Sequence, residues 1–312
     1  MKTAVVTGGA GFLGSNLTDF LLNNQYKVIV YDNFFNGKRE FLPEKNPNLH
    51  IVKADIRQTE PLKKTIQEFH PETIFHLAAL HFIPYCNAHP IETIQVNVEG
   101  TESVLEAAQD SSVEKIIYAS TAAVYGIFDD FNQEEHRPWP MDIYGDTKYF
   151  GEHLLRLFHE KTGKTAVVAR LFNLFGPNET NPHVIPEILD QLQKGNTVHL
   201  GNLKPKRDYI YVLDVVKALF VMDQKYSDGL GTFNVGTGHE YAVDELVNTI
   251  ADIIGRKTAI EIDPDRVRKQ ERLHLVAATD KIKQELGWQP EEDLFSGLKK
   301  LIEIDYPDLL GD

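Results

Sequence analysis

Tyr144 and Lys148 stand four residues apart in Tyr144-Gly145-Asp146-Thr147-Lys148. On a helix that spacing puts a phenol and an ammonium on one face. A cation beside a phenol stabilises the phenolate, so the expectation is a tyrosine tuned below its ordinary value of about 10. Such a tyrosine can take or return a hydroxyl proton while a hydride moves to or from a nicotinamide. Tyr-x-x-x-Lys alone also describes a surface pair, and a second stretch gives it meaning. The strand-like run Thr3–Thr7 ends in Gly8-Gly9-Ala10-Gly11-Phe12-Leu13-Gly14, where Gly9, Gly11 and Gly14 satisfy G-x-G-x-x-G. Gly8 adds an overlapping Gly-x-x-Gly-x-x-Gly spacing. Such a turn is bare where the backbone bends and where a pyrophosphate must come close. The helix behind it offers free N–H groups to that anion. A second strand ends at Asp32, roughly 20 residues on. A carboxylate there suits a ribose 2′-hydroxyl and repels a 2′-phosphate, so the expected cofactor is NAD rather than NADP. Lys38 and Arg39 are the cations that weigh the other way. A third group, Ser120-Thr121, lies at a strand end, where side chains face the ligand crevice of a parallel sheet. Thr121 is expected to bond the reacting oxygen, with Ser120 as competitor; local capping is the alternative role.

These residues need elements to position them. Apolar runs predict strands at 3–7, 27–31, 49–53, 73–77, 114–119 and 165–171. Helical periodicity predicts helices at 13–23, 60–69, about 90–109 and 143–162. The alternation predicts an α/β fold with a Rossmann-type doubly wound parallel sheet. After Gly176-Pro177 the pattern changes to a turn-rich stretch and helices at 184–194, 243–255 and 280–286. Residues 1–175 are expected to hold the cofactor, with 209–235 returning to the main sheet. Residues 176–312 are expected to form a smaller α/β substrate domain.

The chain has 312 residues, room for about two domains. Its net charge of −14 argues against nucleic acid or an anionic membrane as a partner. The single cysteine, Cys86, leaves no internal disulfide and is expected to serve as packing. Twelve scattered histidines show no metal-ligand spacing, so no metal is expected. No signal peptide and no run long enough to span a bilayer is visible, which makes a reducing cytoplasm the simplest home.

With these residues in place, the chain resembles the extended short-chain dehydrogenases/reductases of the NAD-dependent nucleotide-sugar epimerase/dehydratase group. The resemblance runs from the N-terminus to about residue 290. It rests on Gly8–Gly14, Asp32-Asn33, Asp55-Ile56, His76-Leu77-Ala78-Ala79, Asn97, Ser120-Thr121, Tyr144/Lys148, Arg170–Asn173, Gly176-Pro177 and Arg207-Asp208-Tyr209. It implies that Phe12 and Leu13 line the pyrophosphate turn. Asn33, Asn36 and Gly37 belong to a loop that wraps the cofactor, and Asp55 and Ile56 flank the adenine. Leu77, Ala78 and Ala79 line the cleft, Asn97 and Ser120 join the cofactor set, and Phe172 lies near the nicotinamide. Asn173 and Arg207 would hold a substrate diphosphate, a role that suits a guanidinium. Arg268 is weakly favoured over Arg272 as a second diphosphate contact. His81 and His183 are expected beside the substrate; His81 could equally cap its loop. The resemblance also implies a homodimer paired through the helices near 90–109 and 147–160.

Departures from the group's pattern separate its reactions. Dehydratases of the group place an Asp-Glu pair after the threonine, and here Ala122 and Ala123 stand there. The glutamate used by its decarboxylases is missing too. What remains is 4-epimerisation of a nucleotide sugar, most simply a UDP-hexose, UDP-N-acetylhexosamine or UDP-uronate, through a 4-keto intermediate. The alternatives are a 4-ketosugar-nucleotide reductase and a dehydratase with non-standard acid/base residues.

Overall fold

Strands buried on both faces read as unbroken apolar runs, because helices cover the sheet above and below. The computed structural model, which describes residues 1–267 and 272–310, builds its first half this way. The order is β1 (Thr3–Thr7), α1 (Phe12–Asn23), β2 (Lys27–Asp32), β3 (Leu49–Lys53), α2 (Thr59–Phe69) and β4 (Thr73–His76). Then come α3 (Ile83–Ala88), α4 (Pro90–Ile94), α5 (Gly100–Gln109), β5 (Lys115–Thr121), α6 (Ile143–Thr162) and β6 (Thr165–Leu171). The second half runs β7 (Asn173–Phe175), α7 (Val184–Leu192), β8 (Thr197–Leu200), β9 (Lys206–Tyr211), α8 (Val212–Lys225) and β10 (Leu230–Val235). It ends with β11 (Glu240–Ala242), α9 (Val243–Ile254), β12 (Ala259–Ile262), α10 (Asp280–Leu286) and α11 (Leu294–Asp305).

Seven strands form one parallel sheet in the order β10-β6-β5-β4-β1-β2-β3. Neighbouring residues of β1 face opposite ways. Ala4 and Val6 pack with Leu17 and Leu21 of α1 and Val215 and Leu219 of α8. Val5 packs with Leu62 and Ile66 of α2, Val104 of α5 and Leu155 of α6. Each fully buried aliphatic side chain contributes about 1.5–3 kcal/mol, so the two apolar layers clamp the sheet. Chain order reverses between β1 and β4, which opens a crevice at the C-terminal strand ends.

Three expectations are revised. The helix expected at 90–109 is broken by a wider turn at Gln95–Glu99, with i to i+5 bonding, between α4 and α5. β5 runs on to Thr121, so Ser120 and Thr121 stay in register with Arg170 and Leu171. Of residues 209–235, only β10 joins the large sheet. Tyr209–Tyr211 lie in β9, the centre of a small sheet β11-β9-β7, because β9 pairs with β7 and β11. A separate core, including Ile188 of α7, Ile250 of α9 and Leu298 of α11, packs around that small sheet.

Candidate active site

A cleft of about 1060 Å³ opens at the C-terminal ends of the strands. Its floor is the glycine turn. Gly8 has φ +69°, and a Cβ there would lie 2.8 Å from the Ala78 backbone, so the turn is laid directly on the segment after β4. A Cβ on Gly14 would lie 2.0 Å from the Gly8 carbonyl oxygen. Asp32 is nearly buried and ties the turn to the next loop: its carboxylate accepts Ala10 N–H at 2.9 Å and Phe34 N–H at 2.7 Å. The loop Asn33–Gly37 then folds over the turn, where Lys38 N–H donates to the Ala10 carbonyl. Asp55 is held by Arg57 through two bonds of 2.9 and 2.7 Å, which lower its carboxyl to about 2. The residues therefore fit a dinucleotide: a bare backbone cradle, a fixed carboxylate about 20 residues on, and an open wall between them.

Gly8, Gly11, Phe12, Leu13, Gly14, Asp32, Asn33, Asn36, Gly37, Asp55, Ile56, Leu77, Ala78, Ala79, Ser120 and Phe172 all line this cleft. So do Thr121, Tyr144, Lys148, His81, Asn173, His183 and Arg207. Asn97 does not. It is buried, its amide exchanges two bonds with the Leu80 backbone and a third joins Thr147. Asn97 thus braces the post-β4 loop against α6, and the widened turn at 95–99 is what aims it there. Arg268 lies outside the described residues. Arg272 lines the cleft, close enough to Arg207 for the two charges to repel, and its Nη2 donates to the Ala123 carbonyl.

Tyr144 opens α6, whose N-cap Asp142 accepts Gly145 N–H at 2.8 Å. The Thr121 hydroxyl lies close enough to the phenol to pull its pKa down, and Thr121 Oγ1 accepts Ala123 N–H at 3.1 Å. Ser120 also lines the cleft, and its hydroxyl donates to Glu152 at 2.5 Å. Glu152 also takes a two-pronged contact from Arg170, at 3.0 and 2.8 Å. The expected lowering of the Tyr144 phenol is not what this chain shows by itself. Burial pushes the phenol up, against the lowering pull of the Thr121 hydroxyl. Burial also pulls Lys148 down to about 7, against the pull of Glu152. Lys148 Nζ sits 4.0 Å over the Tyr118 ring. The reason is desolvation: Lys148 is buried and Tyr144 half-buried in the cleft wall, and burial favours each neutral form. Beneath them His76 is neutral, lowered to about 3 by burial and bonded to Thr7 and Thr101.

Sequence reasoning missed Glu179, which lines the cleft and accepts His183 Nδ1 at 3.1 Å. The spacing of four between Glu179 and His183 was the available signal, but they sit in a loop, where spacing carries little weight. It also missed Arg57 and Glu152, whose roles depend on contacts across the fold.

A glycine turn on a doubly wound parallel sheet, with a Tyr/Lys helix entering the same crevice, defines a dinucleotide-dependent short-chain dehydrogenase/reductase. Residues 5–301 match the GDP-mannose 4,6-dehydratase family, and the chain belongs to that family of extended short-chain dehydrogenases/reductases. It is 34% identical over 313 residues to a UDP-glucose 4-epimerase of Mycolicibacterium smegmatis, covering 97% of this chain and 98% of the relative. The structure of a UDP-glucose 4-epimerase from Thermotoga maritima with UDP-glucose superposes with a TM-score of 0.91 at 33% identity. That match covers 98% of this chain and 99% of the other. The Thermus thermophilus UDP-glucose 4-epimerase complex with NAD gives a TM-score of 0.87 at 29% identity, covering 96% and 98%. Among the described residues no helix is long and apolar enough to cross a membrane.

Proposed function

We propose that this chain is an NAD-dependent 4-epimerase of a UDP-activated hexose. The observation that carries the reading is that Tyr144, Lys148 and Thr121 line the glycine-turn cleft together, with Ala122 and Ala123 where a dehydratase needs carboxylates. When bound, NAD supplies the hydride acceptor and donor and a positive charge that offsets the burial of Tyr144. Tyr144 removes the C4 hydroxyl proton as that carbon gives up hydride, and returns the proton once the 4-keto sugar has turned over. Thr121 holds the same oxygen. Asn173, Arg207 and Arg272 face the diphosphate, and their side of the cleft is cationic although the whole chain is acidic. Arg39 is tied to the carbonyls of Leu42, Pro43 and Glu44, which supports NAD over NADP. Phe150 and Leu157 of α6 and Ile91 and Ile94 of the neighbouring α4 are exposed, and this apolar face supports a homodimer. The buried thiol of Cys86 suits a reducing cytoplasm.

The test is purified protein mixed with UDP-glucose and no added cofactor. The expected result is UDP-galactose formed by protein that carries NAD. Product appearing only after reduced nicotinamide is added would replace the epimerase with a ketosugar reductase. Loss of water from the sugar would make it a dehydratase.

A further inference from the structure

Strand order shapes the roof of the cleft as well as its floor. β4 and β2 flank β1 in the large sheet. A contact between the segment after β2 and the segment after β4 therefore passes over the glycine turn that ends β1. Phe35, in the loop after β2, makes such a contact with Tyr85 of α3. The rings meet edge to face, with centroids 6.0 Å apart and planes at 62°.

Each ring is placed by its own side of the cleft. Phe34 sits at φ +61°, a region that bulky side chains rarely enter. Asp32 holds it there through the 2.7 Å bond from its N–H. That bend sends neighbouring side chains different ways. Phe34 packs against the large core, while Phe35 is 55% exposed and lines the cleft. Asn33 Oδ1 accepts Phe35 N–H at 3.0 Å, and the Asn33 amide donates to Asp55 at 3.3 Å. Gly37 lays the end of the loop on the turn: a Cβ there would lie 2.9 Å from the Ala10 carbonyl carbon. On the other side, the Tyr85 hydroxyl donates to Glu92 at 2.8 Å, and its ring stacks on His89 with centroids 4.2 Å apart. Pro84 and Glu92 line the cleft, but Tyr85 itself does not.

We propose that Phe35 and Tyr85 form a clasp over the seated dinucleotide, and that NAD enters and leaves only when the two rings part. The rings share contact area alone, so parting them strands no buried polar group. If the loop swings away, Tyr85 keeps its bond to Glu92 and its stack on His89. Slow exchange suits a cofactor that is regenerated in each cycle rather than replaced. The clasp needs only NAD as the cofactor and is independent of the sugar reaction.

Stopped-flow fluorescence of NADH gives both rates: capture by cofactor-free protein, and release from loaded protein chased with excess NAD. The rings meet in the cofactor-free chain, so a clasp slows the two rates alike. Tyr85→Leu removes one ring without touching the cleft wall. Its capture and release rates should both rise about three- to tenfold, the worth of one edge-to-face ring pair, with Kd within about twofold of the parent. Release that rises while capture does not would make Tyr85 a support for the bound state alone, and two unchanged rates would make the pair idle; either overturns the proposal. Tyr85→Phe keeps the ring and loses the Glu92 bond, and should show the parent rates. Rates like those of Tyr85→Leu would assign the effect to that bond and overturn the clasp too. If Tyr85→Leu does not fold, Phe35→Ala, on the exposed loop, must speed capture; a rate at or below the parent's overturns the proposal. In the double variant capture must be no faster than in the faster single one, because a clasp can be removed only once. Two effects that multiply would refute it.

Discussion

Tyr144→Phe removes one oxygen and leaves the ring in place. The phenol is half-buried in the cleft wall near the Thr121 hydroxyl. Thr121 keeps its bond from Ala123 N–H, so the stability change is at most that of one neutral hydrogen bond, about 1 kcal/mol. The cofactor cradle is untouched, because Asp32 and the glycine turn lie at another strand end and share no bond with Tyr144. Turnover is a different matter. A positioned acid/base contributes about 10²–10⁴-fold, equal to roughly 3–5 kcal/mol of barrier at 1.36 kcal/mol per decade. The expected variant melts near the parent and releases the same NAD on denaturation. It epimerises UDP-glucose at least about a hundredfold more slowly. Rates would come from a coupled assay for UDP-galactose, and bound NAD from chromatography of the acid extract. A variant within about threefold of the parent rate, far inside that range, would remove Tyr144 as proton carrier.

Gly14→Ala should purify without NAD or fail to fold, since its Cβ would lie 2.0 Å from the Gly8 carbonyl oxygen, a backbone atom that cannot step aside; full NAD retention would contradict the cradle. Glu152→Gln leaves the buried Arg170 guanidinium without its anion, and urea unfolding should show a loss of about 3–5 kcal/mol; an unchanged midpoint would refute it. Lys148 titrates near 7 in the folded chain and near 10.4 when unfolded, so between those values the unfolded chain binds more protons and this group makes stability rise with pH. Cofactor-free parent should gain stability from pH 7 to pH 9 relative to Lys148→Met; parallel curves for the two proteins would show that Lys148 is not desolvated.

The large sheet was legible because parallel strands covered on both faces leave uninterrupted apolar runs, as at Val28–Val30 and Ile116–Ile117. The cofactor cradle was legible because glycines at close backbone approaches have no substitute. Side-chain wiring was less so. Asn97 belongs to the group's motif, yet a motif does not say whether an amide meets a ligand or a backbone, and the turn at 95–99 points it at Leu80. Ser120 and Thr121 alternate across β5, so one hydroxyl of the pair had to face inward, toward Glu152; the strand end predicted at 119 hid that alternation. β9 was assigned to the wrong sheet because strand pattern does not encode the partner.

The carboxylate placed one turn beyond Lys148 decides the charge state of the site. Had Glu152 paired with Lys148, a fixed ammonium would have stood behind the phenol whatever occupied the cleft. Instead Glu152 is committed to Arg170 and Ser120, and Lys148 has the Tyr118 ring 4.0 Å from its nitrogen. Burial then dominates at both members of the pair, raising the phenol and lowering the ammonium. The cofactor-free chain therefore rests with Tyr144 protonated and Lys148 poised near neutrality. A positive charge entering beside them favours the phenolate and disfavours the ammonium, so cofactor binding and proton release are linked. Loading the cofactor-free protein with NAD in weakly buffered solution at pH 7 should release protons, and Lys148→Met should release fewer. Equal release from the two proteins would place the titrating group elsewhere.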